Sequence, residues 1–152
     1  MPVDPVVAAL ADAIGDAQVV AGASINPDDC HDESLHDRGV TPRCVVRPRS
    51  TDDVVAIVRI CAAHGTPIVA RGSGTGLSGG ATPVADGIVV AFDAMAAIKE
   101  VDVDNQVAVV EPGVTLSELD AALAGSGLRY PVYPGELSGS LGGNVNTNAG
   151  GM

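Results

Sequence analysis

The sequence is poor in aromatic residues, with one Phe, two Tyr and no Trp among 152 residues. A core built here must come from Val, Ala, Ile and Leu, and 46% hydrophobic residues suffice to make one. Basic residues are also scarce. Eight Lys and Arg against nineteen Asp and Glu leave a net charge of −11. That balance excludes the basic patch of a nucleic-acid binder and repels anionic membranes. An anionic ligand must be held by local donors rather than by the overall field. The three cysteines, Cys30, Cys44 and Cys61, are odd in number and lack CxxC spacing. This argues against a disulfide framework and for a reducing compartment. No apolar run approaches the roughly 20 residues of a membrane-spanning helix. The N-terminal stretch MPVDPVVAALADAIG has acids and no positive region, unlike a signal peptide. The expected localisation is cytoplasmic, without a membrane span.

Against these absences stands an excess of glycine, 19 residues, much of it gathered into two clusters. Ordering a glycine costs roughly 0.5–1 kcal/mol relative to alanine, so a clustered run implies a need for bare backbone.

The local signals around the clusters are readable. Residues 4–15 predict a short helix, and 22–43 are polar and irregular, with Asp28, Asp29, Asp32, Glu33 and Asp37. Cys44–Arg47 predicts a short strand ended by Pro48. Ser50-Thr51-Asp52-Asp53 is an N-cap signal for a helix carrying Val54, Ile57, Val58 and Cys61 on one face, with Gly65 as its C-terminal cap. Pro67–Ala70 predicts a strand running into the first glycine cluster, and Gly87–Phe92 predicts another. Ile98–Val103 and Gln106–Glu111 alternate well enough for a hairpin over Asp104-Asn105. Thr115-Leu116-Ser117-Glu118 is a capping box opening a helix to Ala124. The order strand, helix, strand, short strands, helix is an α+β plan.

The first cluster reads RGSGTGLSGG, residues 71–80, with Gly74, Gly76 and Gly79 spelling G-x-G-x-x-G. A Rossmann unit needs a helix to start inside that motif. Here Pro83 and Gly87 follow, and the next strand starts near Ile88, which leaves too little chain for a helix and a crossover. No Lys follows the glycines, so it is not a Walker A loop. What remains is a strand–loop–strand element whose successive bare amides can form an anion-binding nest. Ser73, Thr75 and Ser78 add hydroxyl donors. Such a loop can wrap a pyrophosphate without a cationic cluster; the competing reading is a surface hairpin. Arg71 in front pairs either with a phosphate or with a nearby acid such as Glu111.

The second cluster comprises Pro134-Gly135, Ser138, Ser140 and LGGNVNTNAGG. Ser140 is a candidate N-cap. Gly142 and Gly143 then fall in a first helical turn, where free N–H groups and the positive dipole end face a ligand. Asn144, Asn146, Thr147 and Asn148 offer hydrogen bonds to a polar heterocycle. Gly and Asn are poor helix formers, so order here requires a ligand or a packing partner. An unordered tail is the competing reading.

Two such clusters in this order resemble the FAD-binding domain of the vanillyl-alcohol oxidase / p-cresol methylhydroxylase (PCMH) superfamily. The branch is that of glycolate oxidase and D-lactate dehydrogenase. The resemblance rests on VVRPRSTDDVVAIVRICAAHGTPIVARGSGTGLSGGA, VVEPGVTLSELDAAL and YPGELSGSLGGNVNTNAGGM. It implies a PCMH-type α+β domain of two subdomains with FAD between them. Residues 1–42 would be an N-terminal helix and irregular lead-in, and 43–152 a partial, C-terminally truncated flavin domain. It implies that the backbone at Gly72, Ser73, Gly74, Thr75, Gly76 and Leu77 holds the pyrophosphate; Arg71 stays a cofactor-binding candidate on its own two readings. Pro134, Gly135, Ser140, Gly142, Gly143, Asn146 and Thr147 would line the pyrophosphate–isoalloxazine side, with Gly150 and Gly151 following near the flavin. Some relatives attach the flavin through a His four residues after the loop arginine. Thr75 stands there, so the FAD is expected to be non-covalent.

The family implies oxidation of a D-2-hydroxy acid to a 2-oxo acid, with hydride passing to flavin N5 and electrons leaving to a carrier. The family's catalytic groups lie downstream of this segment, so this chain supplies cofactor placement. Two other readings stand beside that one. The first is a non-catalytic FAD-binding module needing a partner chain or the missing C-terminal half. The second is a non-functional remnant exposing strand edges. Other tempting residues have plainer readings. Cys30, His31 and His36 match no zinc spacing. His64 suits a helix C-terminus. Tyr130 and Tyr133 edge the flavin pocket or pack. Glu136 has no assigned role.

Overall fold

The computed structural model describes residues 4–35 and 39–150. Helix α1 (Pro5–Ile14) begins at Asp4, whose carboxylate accepts from the amides of Val6 at 2.9 Å and Val7 at 3.5 Å. Pro5 sits where its missing N–H costs nothing. Arg43 reaches back to Asp4 at 2.9 Å and ties this helix to the start of the sheet.

Strand β1 (Val19–Ala21) runs antiparallel to β2 (Cys44–Val46), with Val19 opposite Val46. Helix α2 (Thr51–His64) starts on Ser50, whose hydroxyl accepts from the Asp53 amide at 3.1 Å. It ends on Gly65 at φ +63°, the left-handed conformation glycine adopts without a Cβ penalty. Its packed stripe is Ile57 and Cys61 flanked by Ala56 and Ile60. Val58, expected on that face, is instead 49% exposed. It lies about 100° round the helix from Ile57, on the side away from the stripe that meets α1.

The main sheet is completed by β3 (Ile68–Arg71) and β4 (Ile88–Ala91), in the order β1-β2-β4-β3. Successive side chains point to opposite faces. Cys44, Val46, Ile88 and Val90 pack under α1 and α2 with Leu10, Ile57 and Cys61. Val45, Val69, Val89 and Ala91 face the other way, onto Ile25, Cys30 and Val84 of the irregular segments. The lead-in therefore packs with β2, α2, β3 and β4 around the main sheet. Each large apolar side chain fully buried here contributes about 1.5–3 kcal/mol.

Strands β3 and β4 are parallel, with Val69 opposite Val89. The connection 72–87 is therefore a crossover and not a surface hairpin. Parallel neighbours usually need a helical crossover; here glycine-rich turns make it.

A second, smaller core follows. Strands β5 (Ile98–Asp102) and β6 (Val107–Val110) form the expected antiparallel hairpin. Its loop is wider than the Asp104-Asn105 turn. Residues 103–106 close it, with Asp102 accepting from the Asn105 amide at 2.9 Å and from its side chain at 2.7 Å, and Gln106 at φ +58°. Helix α3 (Leu116–Leu123) carries the predicted capping box between Thr115 and Glu118. Its Leu116, Leu119 and Leu123 pack on Val114, Leu141 and the inner face of the hairpin. Helix α4 (Leu141–Asn146) closes the described chain, so the second cluster is not an unordered tail. No helix among the described residues is long and apolar enough to cross a membrane.

Candidate functional site: a cradle where two glycine clusters meet

The first cluster leaves the C-terminal end of β3, the edge of a parallel sheet where ligands characteristically bind. Gly74 and Gly79 take φ of +77° and +76°, which bends the backbone into a succession of turns. Among the described residues, the amides from Ser73 through Gly80 have no hydrogen-bond acceptor. The hydroxyls of Ser73, Thr75 and Ser78 have none either. A run of unengaged donors on a strand-end loop is what a diphosphate requires.

The loop is fastened from beneath by residues far away in sequence. Asp32, 6% exposed, accepts from the Ala81 amide at 3.3 Å, the Thr82 hydroxyl at 3.4 Å and the Ser34 amide at 3.0 Å. Burial pushes its carboxyl up, but the bonds from Ser34, Ala81 and Thr82 outweigh that and leave it below the usual carboxylate range. Arg71 is 9% exposed. Its guanidinium donates to the His31 carbonyl, stands 3.9 Å from Asp29, and lies where a Cβ on Gly74 would have to go. Asp29 also takes Arg47 at 2.7 Å, and Arg47 takes Asp93 at 3.0 Å. Of the two partners expected for Arg71, the acid proves to be Asp29. Glu111 is engaged by Lys99 at 3.0 Å and by the Ala97 amide at 3.0 Å.

The second cluster meets the first. Ser140 pairs with Thr115 in an isolated bridge and caps α4 by accepting from Gly143 at 3.3 Å. A Cβ on Gly72 would overlap the Ser140 hydroxyl and come within 3.7 Å of the Gly143 Cα. A Cβ on Gly139 would come within 3.7 Å of the Thr75 hydroxyl. One expectation is corrected here. The first amides of α4 are not free: Leu141 donates to Val114 O at 2.7 Å, Gly142 to Pro112 O at 2.9 Å, and Gly143 to Ser140. The strand-like approach through Thr115 and Ser140 uses them up. Gly142 instead permits close packing, since a Cβ there would stand 2.6 Å from the Pro112 ring.

The remaining predicted residues lie around this junction or on its approaches. Asn146, Gly142 and Val145 line a cleft of about 470 Å³ with Val110, Glu111 and Pro112. The Thr147 hydroxyl donates to Gly143 O at 2.9 Å. Gly135 takes φ +95° next to Pro134 in the extended approach to α4. Leu77 and Gly150 are exposed. His36 and Gly151 lie outside the described residues. The sequence pattern places Asp29 and Asp32 in a polar acidic loop, whereas the structure buries both. No local signal marks that burial, because Arg47, Arg71 and Thr82 stand far along the chain.

The FAD-binding domain model matches residues 42–152. This chain belongs to that family. It is 50% identical over 139 residues to an uncharacterised FAD-linked oxidoreductase of Mycobacterium tuberculosis, covering 91% of this chain and 30% of that protein. It is 44% identical over 108 residues to a D-lactate dehydrogenase of Archaeoglobus fulgidus, covering 71% of this chain and 24% of that one. Among solved structures it superposes on 4-ethylphenol oxidase from Gulosibacter chungangensis with a TM-score of 0.77 at 28% identity, over 91% of this chain and 28% of that one. The chain thus spans less than a third of the length of these relatives. The PCMH-type α+β fold and the FAD cofactor follow, and the cradle fits that cofactor: unengaged amides and hydroxyls suit its diphosphate in a molecule of net charge −11.

Proposed function

We propose that this chain is the cofactor-placing part of an oxidoreductase that converts a D-2-hydroxy acid, of the glycolate or D-lactate kind, to a 2-oxo acid. The observation that carries it is the run of amides from Ser73 through Gly80 without an acceptor among the described residues, on a loop whose Gly72 lies against Ser140 and Gly143 of α4. Gly72, Ser73, Gly74, Thr75, Gly76 and Leu77 would hold the diphosphate. Ser140, Gly142, Gly143, Asn146 and Thr147, with Pro134, Gly135 and Gly150, would line the flavin side. Bound FAD supplies the oxidant; this chain orients it and shields it, and acid–base groups outside these residues handle the substrate proton. The D-lactate dehydrogenase relative supports the substrate class. Thr75, at the position of an attaching His, supports non-covalent binding. The three free thiols support a cytoplasmic setting.

A second reading, an FAD-binding module that acts only with another polypeptide, is favoured by the outer face of the hairpin. Val107 and Val109 stand 51% and 45% exposed there. Titration of the purified chain with FAD, followed by denaturation, tests the proposal. The expected result is a bound flavin with the spectrum of intact FAD, released unmodified on unfolding, with riboflavin binding far more weakly. A chain that takes up no FAD, or a crystal placing the phosphates away from residues 72–77, would refute it.

A further inference from the structure

The loop that offers its amides is not held by its own sequence. Its far end is anchored by Asp32 through the Ala81 amide and the Thr82 hydroxyl. Its near end is anchored by Arg71, which reaches beneath Gly74 to the His31 carbonyl and Asp29. Both anchors land within residues 29–32, and Asp29 is in turn pinned by Arg47 from the sheet. Both acids are buried, at 8% and 6% exposure, in a chain whose acids mostly face water. Burying two carboxylates is costly unless each is fully paired. Here each is paired to the loop or to the base of the loop.

We propose that Asp32 and Arg71 are positioning residues that clamp the glycine loop from below, so that its amides converge on a diphosphate before the diphosphate arrives. This rests on the reading of the loop as the FAD cradle and reassigns Arg71 within it: the guanidinium shapes the loop and does not touch phosphate. A preformed cradle binds more tightly because the loop's ordering cost has already been met in folding. The segment 29–32, which lies before the matched family domain, is thereby part of the binding device.

Asp32→Asn and Arg71→Lys in the 152-residue chain test this. Without flavin, the readouts are hydrogen exchange at the Ala81 and Thr82 amides and backbone order parameters across 72–80. With ligand, they are the affinities for FAD, ADP and riboflavin. The expected result is exchange at least tenfold faster at Ala81 in Asp32→Asn, and lower order across 72–80 in both variants. FAD and ADP affinities fall tenfold or more, and riboflavin affinity is unchanged. If Asp32→Asn does not fold, Thr82→Val removes one donor to the same carboxylate and should give the same pattern at smaller amplitude. Variants whose loop order and exchange equal the parent's overturn the proposal. So does Arg71→Lys losing FAD affinity while loop order is unchanged, which would make Arg71 a direct phosphate ligand. A parent chain that binds no FAD, but whose variants loosen the loop as described, breaks the cofactor reading and leaves the clamp standing.

Discussion

Gly72 and Ser140 occupy adjoining space: a side chain on the glycine would overlap the serine hydroxyl that caps α4. This contact joins the two halves of the cradle, and it requires glycine at 72 for reasons of room. Gly72→Ala should destabilise the chain by about 1–3 kcal/mol, as overpacking does. Ser140→Ala alone should cost about 0.5–2 kcal/mol through the lost cap. Because the second change removes the colliding atom, the double variant should be less destabilised than the sum. Urea unfolding of the four chains measures this, and strict additivity would show that the two residues are not in contact.

The capping box of α3 offers a test of local helix chemistry. Thr115 accepts from the Glu118 amide at 3.2 Å while Glu118 accepts from the Thr115 amide at 2.8 Å. Thr115→Ala should lower unfolding stability by about 0.5–2 kcal/mol. Far-UV circular dichroism during chemical denaturation reads the shift, which should appear with the native helix content intact.

Acid should loosen the molecule through two particular carboxyls. Burial opposes ionisation at Asp4 and Asp32, but hydrogen bonds to Val6 and Val7 with Arg43 at the first, and to Ser34, Ala81 and Thr82 at the second, hold both below the usual range. A depressed folded-state pKa contributes stability that is present above the unfolded value and lost as pH falls through the folded one. The urea midpoint should therefore hold from neutral pH down to the ordinary carboxylate range and drop below it. Asp32→Asn should flatten that drop, and an unchanged slope would count against this assignment.

The thiols should differ in reactivity. Burial, then the neighbouring Cys61 and Asp4, push Cys44 up to about 12; burial raises Cys61 and Cys30 too, so access separates them, Cys44 and Cys61 being fully buried and Cys30 half-buried. The thiolate is the reactive form. At mildly alkaline pH a disulfide-exchange reagent should modify half-buried Cys30 alone in the native chain, and all three cysteines once it is unfolded. Mass mapping of the labelled peptides decides it.

What is legible in the sequence is local. Ser50, Gly65, Thr115 with Glu118, and Ser140 each announce a helix end through chemistry contained within a turn, and all four appear where expected. The strands on either side of the glycine loop are equally plain. The features that escape depend on distant partners. Strand β1 is three residues whose pairing with β2 leaves no periodic trace. Asp29 and Asp32 look like solvated loop acids until Arg47, Arg71 and Thr82 are brought to them. The glycines of α4 look like donors to a ligand, but Gly142 donates to the distant Pro112 carbonyl and Gly143 to the Ser140 cap.

Strands β3 and β4 are bonded neighbours, yet the stretch linking them is the glycine-rich loop itself. Opening the central sheet at β4 and disordering the loop are thus parts of one local unfolding event. Anything that grips the loop should be felt as slower solvent entry at Val89 and Val90, which are buried inside the protein. Occupancy at the surface would then be legible as quiet in the interior.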